Sequence, residues 1–177
     1  MRFLPQRLNN LKLIPRSLFS TPQVQNEEFT LICAPLSKER LIAWLKRRGV
    51  SYFLDHNSEL GTLWPSGTIH FLHHGQRDEY LNVRCAWHRQ VAIENVNYMH
   101  RFLNDWNTKH SWPSAHLRIW DDGRVQITGH INLALGSGVS DSQIHSIMEM
   151  SISTSRKLFA ALEELFPDPA LMERTER

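Results

Sequence analysis

Apolar residues recur along this chain with two periods, one near 3.6 residues and one of two, and the switches between them mark out its elements. The first helical period opens at Ser37, a good N-cap, with Leu36 and Leu41 placed to close a hydrophobic staple. Leu41, Ile42 and Leu45 then form a buried stripe over about 37–48, Arg47 and Arg48 suit the negative end of the helix dipole, and Gly49 supplies the stop. Period two takes over next. Val50–Asp55 is rich in β-formers and ends in the turn residues Asp55-His56-Asn57-Ser58. Thr68–His74 alternates Ile69, Phe71 and His73 against His70, Leu72 and His74, and Glu79–Ala86 alternates Leu81, Val83 and Cys85 against Tyr80, Asn82 and Arg84. The short link between these two runs predicts a hairpin.

A second helix is predicted over about 91–108, where Ile93, Val96, Met99, Leu103 and Trp106 step by three or four. The hairpin after it can be read in register. Ala115, Leu117 and Ile119 must share a face with Val125, Ile127, Gly129, Ile131 and Leu133, and only a three-residue loop, Asp121-Asp122-Gly123, achieves this. A type I turn with Gly123 in a left-handed bulge position fits that loop. The last helix opens at Ser140, with Gln143 completing a capping box, and keeps one face apolar or small until Pro167. The predicted order is α-β-β-β-α-β-β-α, an α+β fold with a five-stranded antiparallel sheet and helices packed against it.

Composition changes this picture little. Of 177 residues, 41% are hydrophobic and 21% charged, an ordinary balance for one globular core. The longest apolar runs are a few residues, so no membrane-spanning segment is expected. Charge matters more for where it lies than for its sum. Arg2, Arg7, Lys12 and Arg16 against Glu27 and Glu28 put the whole net +2 in residues 1–36, while 37–177 carry 16 basic and 16 acidic residues. A neutral folded part argues against a nucleic-acid partner and leaves the basic tail as a weaker place for one. The first 30 residues lack the apolar h-region of a secretory signal. Their Arg-rich, acid-poor start has a transit-peptide look, but a flexible tail is the simpler reading. The expected division is a flexible basic tail over 1–34, one α+β domain over 35–167 and a C-terminal tail over 168–177. Cys33 and Cys85 are too few for a disulfide scaffold and fit a reducing cytoplasm.

Candidate catalytic features resolve into structural ones. Among ten histidines, His73 and His74 point to opposite faces of a strand, and His70 and His74 are roughly 13 Å apart. A metal-dependent or small-ligand enzyme would have to join His70 and His74 to His88, with no HExxH or CxxC to help. Gly136-Ser137-Gly138 lacks the third glycine of a nucleotide loop, since Asp141 stands there. Asp121-Asp122, Glu163-Glu164 and Asp78-Glu79 read as a turn, a solvated helix face and a loop, and Cys85 reads as a buried thiol. No catalytic residue, metal site or cofactor is expected. The tryptophans remain. Trp106 belongs to the helix stripe, whereas Trp64, Arg84, Trp87, Trp112, Trp120 and Arg124 are candidates for a partner-binding surface, with Trp120 and Arg124 facing each other as a cation–π pair.

At these residues the chain resembles a known family, the YbjN-domain proteins of bacteria. The resemblance is carried by Ser51-Tyr52-Phe53, Trp64, Val83-Arg84 and Trp87, then by Asn104-Asp105-Trp106-Asn107, Trp112-Pro113, Asp122-Gly123 and Asp141-x-Gln143, and it spans about 36–167. Asn104, Trp106, Asn107, Asp122, Gly123 and Gln143 form its structural motif. It departs from the family at Asp55-His56-Asn57, in place of an acidic run, and at His130, where a carboxylate is more usual. The resemblance implies a fold similar to type III secretion chaperones, which are commonly dimers that hold an extended segment of a partner. It also implies a role in sensory-transduction regulation. The expectation is a cytoplasmic, non-enzymatic regulator or chaperone-like homodimer that binds another polypeptide.

Overall fold

The computed structural model of the chain describes residues 33–77 and 79–167. The expected tails over 1–34 and 168–177 lie outside these, apart from Cys33 and Ala34. Ala34 bridges Val139, and Arg40 of the first helix donates to the carbonyl oxygens of Ala34 and Pro35 at 2.9 and 3.0 Å. Helix α1 is Lys38–Arg47; strands β1 Phe53–Leu54, β2 Leu60–Trp64, β3 Gly67–His74 and β4 Tyr80–Val91 follow; then α2 Val96–Lys109, β5 Ser114–Ile119, β6 Val125–Ala134 and α3 Asp141–Leu165. All strand pairs are antiparallel, in the order β1-β2-β3-β4-β6-β5.

The sheet therefore has six strands, not five. The additional strand is β2, whose pattern is inverted: Thr62 is buried while Leu63 is 72% exposed. Gly61 looks like a breaker in sequence, yet the Phe53 ring lies over it, and a Cβ there would stand 2.5 Å from that ring. The expected strand over 50–55 shrinks to two residues, because only Phe53 and Leu54 reach β2. Strand β4 continues past Ala86 to Val91 through an irregularity between Ala86 and Gln90. This moves the start of α2 to Val96, leaving Ile93 in a single 3-10 turn and exposed.

Other local readings are found as expected. Ser37 caps α1, accepting from the Arg40 amide at 3.4 Å, and Ser140 and Gln143 form the capping box of α3. Ile119 pairs with Val125 across a loop in which Gly123 has φ 80°, the register and the turn the alternation requires.

One face of the sheet carries the core. Leu60, Ile69, Phe71, Leu81, Val83, Cys85, Trp87, Ala115, Val125, Ile127 and Ile131 are all buried there. Helix α3 packs on β3, β4 and β6, α2 packs on β5, and α1 joins through α3. Each fully buried Leu, Ile or Phe of this layer contributes about 1.5–3 kcal/mol by leaving water, and that drives the helices onto one side. The alternation of the strands then presents every second residue on the opposite face.

Candidate functional site on the uncovered sheet face

No helix among the described residues covers that second face. Its residues line up in rows set by the strand register. Thr68, Ala86, Thr128 and His116 form one row across β3, β4, β6 and β5; His70, Arg84, His130 and Ser114 form the next; Leu72, Asn82 and Asn132 follow. The central strands share an open recess of about 440 Å³ lined by Thr68, His70, Arg84, Ala86, Gln126, Thr128 and His130, with Arg118 and Trp120 at its β5 side. At the opposite side the Phe53 ring meets His70 edge-on, with centroids 5.5 Å apart.

Arg84 is the charge at the centre. It forms a loose ion pair with Glu59 at 3.9 Å, beyond hydrogen-bond length. His130 stacks on His116 with ring centroids 4.9 Å apart, and its Nδ1 lies 3.4 Å from the Asn82 amide nitrogen. Asn82 also donates to Asn132 at 2.6 Å. The Nδ1 of His70 is enclosed and has no hydrogen-bond partner. Burial, and then Arg84, hold the His70 pKa below its ordinary value against the opposing pull of Asp55 and Glu59. Burial, then His116 and Arg84, do the same to His130. Both rings are thereby favoured as neutral imidazoles beside a permanent cation.

The sequence-chosen tryptophans divide. Trp87 is not a surface anchor. It faces the core with 1% exposure, because position 87 is in phase with Val83 and Cys85, and its indole donates to Glu163 at 2.8 Å. Trp64 and Trp112 are partly buried against the core; Arg156 lies over the Trp64 ring at 4.8 Å. Trp120 is exposed on the open face. Its nearer cation is Arg118, 3.8 Å from the ring centroid, while Arg124 is 6.0 Å away and engaged with Asp122 at 2.5 Å. The expected Trp120–Arg124 pair is thus secondary to a Trp120–Arg118 stack, since Trp120, the residue after β5, continues the outward phase of Arg118. Among the candidates, Arg84 and Trp120 meet at the recess.

Residues unnoticed in the sequence complete this face. Arg118, Gln126, Thr68 and Thr128 line the recess, and Leu63 and Tyr80 stand exposed on its flanks. The outward alternation of β3, β4, β5 and β6 holds the signal for all of these but Leu63, which lies on β2. The histidines of the metal alternative do not converge. Among the described residues, no three His, Cys, Asp or Glu side chains form a group able to hold a metal ion. His70 pairs with Arg84, whereas the His88 amide bonds to Ser66 beyond the other end of β3. Cys85 is enclosed, and burial pushes its thiol up to about 11.

The motif residues have structural explanations. Trp106 donates its indole N–H to the Pro113 carbonyl at 3.0 Å. The Asn107 amide donates to the Ala115 carbonyl and accepts from the Ala115 amide, both at 2.8 Å. Asn104 supplies its carbonyl oxygen to Thr108 at 2.8 Å. Asp122 accepts from the Arg124 amide at 3.1 Å.

Six antiparallel strands, helices on one face and an arginine-centred opposite face define an α+β domain of the one-sided sheet class. Within that class, the chain belongs to the YbjN family, whose model, described as "Putative bacterial sensory transduction regulator", matches residues 37–164. Similar solved structures include YbjN from E. coli, described as "a putative transcription regulator", with 16% identity, a TM-score of 0.63, and coverage of 75% of this chain and 96% of that one. An uncharacterized protein from Methanothermobacter thermautotrophicus has 14% identity and a TM-score of 0.51, covering 74% of this chain and 99% of that one. At these identities the likeness is one of fold. No curated protein sequence matches the chain. No described helix is long and apolar enough to cross a membrane.

Proposed function

We propose that this chain is a non-enzymatic, chaperone-like regulatory module that binds another polypeptide on the uncovered face of its sheet. The observation that carries this reading is the placement of exposed apolar side chains. Leu63, Tyr80 and Trp120 leave 72%, 50% and 38% of their surface in solvent on or beside this face, and Leu63 is the most exposed large apolar side chain among the described residues. Large apolar groups around a polar recess are a common form of partner surface, with the aromatic groups as anchors. The description of the family as a regulator supports the same reading.

The test is affinity capture from the native lysate with the wild-type chain and with a Leu63→Asp/Trp120→Ala variant. Both positions are exposed, so the variant should keep its fold. A stoichiometric protein recovered by the wild type and lost by the variant supports the proposal. Equal recovery by both places the partner elsewhere and contradicts it.

The proposal includes a cytoplasmic homodimer. Two free cysteines, Cys33 and Cys85, suit a reducing compartment. Strand β5 is an edge of the sheet, and beyond Ala115, whose amide and carbonyl bond Asn107, a second strand can extend it. Sedimentation at roughly tens of micromolar, the range in which weak complexes form, should give the mass of two chains; a single-chain mass would remove the dimer.

A further inference from the structure

The recess has a chemical preference that apolar flanks alone do not explain. Arg84 stands on β4 between His70 on β3 and His130 on β6, paired with both across the sheet. Neighbouring strands are about 4.8 Å apart, so the row places two imidazoles within reach of whatever contacts the guanidinium. In each imidazole Nδ1 is closed to an incoming ligand, by burial in His70 and by Asn82 in His130. In His70 that nitrogen is enclosed without an acceptor, where an N–H would be an unpaired buried donor, so the proton belongs on Nε2. In His130, Nδ1 faces the Asn82 amide, a donor, which again puts the proton on Nε2. The row therefore offers one permanent cation flanked by two N–H donors. The hydroxyls of Thr68 and Thr128 line the same recess one row away. The nearby carboxylates are few: Glu59 reaches Arg84 only at 3.9 Å, and Asp55 spends its Oδ1 on the amides of Asn57 and Glu59, at 2.8 and 2.9 Å.

We infer that this row is a binding site for an oxyanion, a phosphate or carboxylate group, with Arg84 supplying the charge and His70 and His130 the flanking hydrogen bonds. The recess, at about 440 Å³, falls within the roughly 300–1,000 Å³ usual for small-ligand sites. Glu59 is then a weak internal competitor that an incoming anion displaces. The inference shares with the proposed function only the reading of this face as a binding surface.

The experiment follows the imidazole and indole nitrogen resonances of the labelled protein during titration with inorganic phosphate at constant ionic strength, chloride being the control. A second arm uses N-acetylglutamate amide, which represents an acidic side chain of a partner. Saturable shifts of the His70 and His130 nitrogens are expected in at least one arm, and the tighter arm identifies the source. Arg84→Gln should weaken binding by about tenfold or more, the effect of losing a charged hydrogen bond. Glu59→Gln should tighten it by about two- to fivefold, the range of a surface ion pair. The Trp87 indole resonance, which reports the hydrogen bond from the buried Trp87 ring to Glu163 of α3, verifies folding of each variant. If Arg84→Gln fails that check, Glu59→Gln carries the test alone. Non-saturating shifts equal to those of chloride in both arms overturn the inference, as does an unchanged affinity in Glu59→Gln. Such a failure leaves the protein-binding reading intact if capture still depends on Leu63 and Trp120; phosphate binding with capture indifferent to those residues has the opposite meaning.

Discussion

His70 and His130 each hold a ring against a cation in a half-buried environment, and that has a cost visible in solution. Their folded pKa values lie below the ordinary 6.5, with burial as the largest cause in both. In the unfolded chain the same rings take up protons near the ordinary value, so the unfolded state binds more protons as pH falls. Stability is therefore intact above the unfolded pKa and is lost as pH drops from 6.5 toward the lower folded values. Thermal unfolding followed from about pH 7.5 to about pH 5.5 should show a falling midpoint. The slope should be shallower in a His70→Gln/His130→Gln variant; identical slopes would show that these rings do not carry the effect. At the same scale, the burial of Trp87 was legible from its phase on β4, since Leu81, Val83, Cys85 and Trp87 alternate inward. As a tryptophan, Trp87 suits a partner anchor by type, but its position on β4 turns it inward. Trp120 shows the converse, because the phase that exposes it also brings Arg118 rather than Arg124 onto its ring.

Strand β5 is an edge whose exposed side would be open to pairing with any other strand. The Ala115 amide and carbonyl are occupied instead by Asn107 from α2, through two hydrogen bonds of 2.8 Å. One side chain thus ties α2 to the sheet and closes part of its edge. Asn107→Ala should destabilise the fold by about 1–3 kcal/mol, because two backbone groups lose a paired partner. Denaturant unfolding checks this, and a change under about 0.5 kcal/mol would mean water replaces the amide without loss. The Asn-Asp-Trp-Asn sequence was recognisable, but the role of its last residue was not, since it depends on a strand eight positions away. Elements with strict alternation or clear caps (α1, β6, α3 and the β5–β6 turn) were legible because local chemistry fixes them. Strand β2 was not. Its buried Thr62, exposed Leu63 and ring-covered Gly61 make sense only once Phe53 and β3 are in place.

For the molecule as a whole, sidedness connects fold with function. The helices take the apolar face and leave a face with an arginine row at its centre and Leu63, Tyr80 and Trp120 around it. The α+β class and the one-sided core followed from periodicity, but the recess could not, because it joins residues of β3, β4 and β6 with the end of β5. Arg84 and Trp120 are candidates by residue type, and only the strand order β3-β4-β6-β5 places them at one recess. A polypeptide partner received on this face can be trapped directly. A photo-crosslinking residue at position 63, on the open face, and at position 164, exposed on α3, compares the two sides of one molecule in the living cell. A discrete protein adduct is expected from position 63 and none from 164. An adduct from position 164 alone would contradict that expectation.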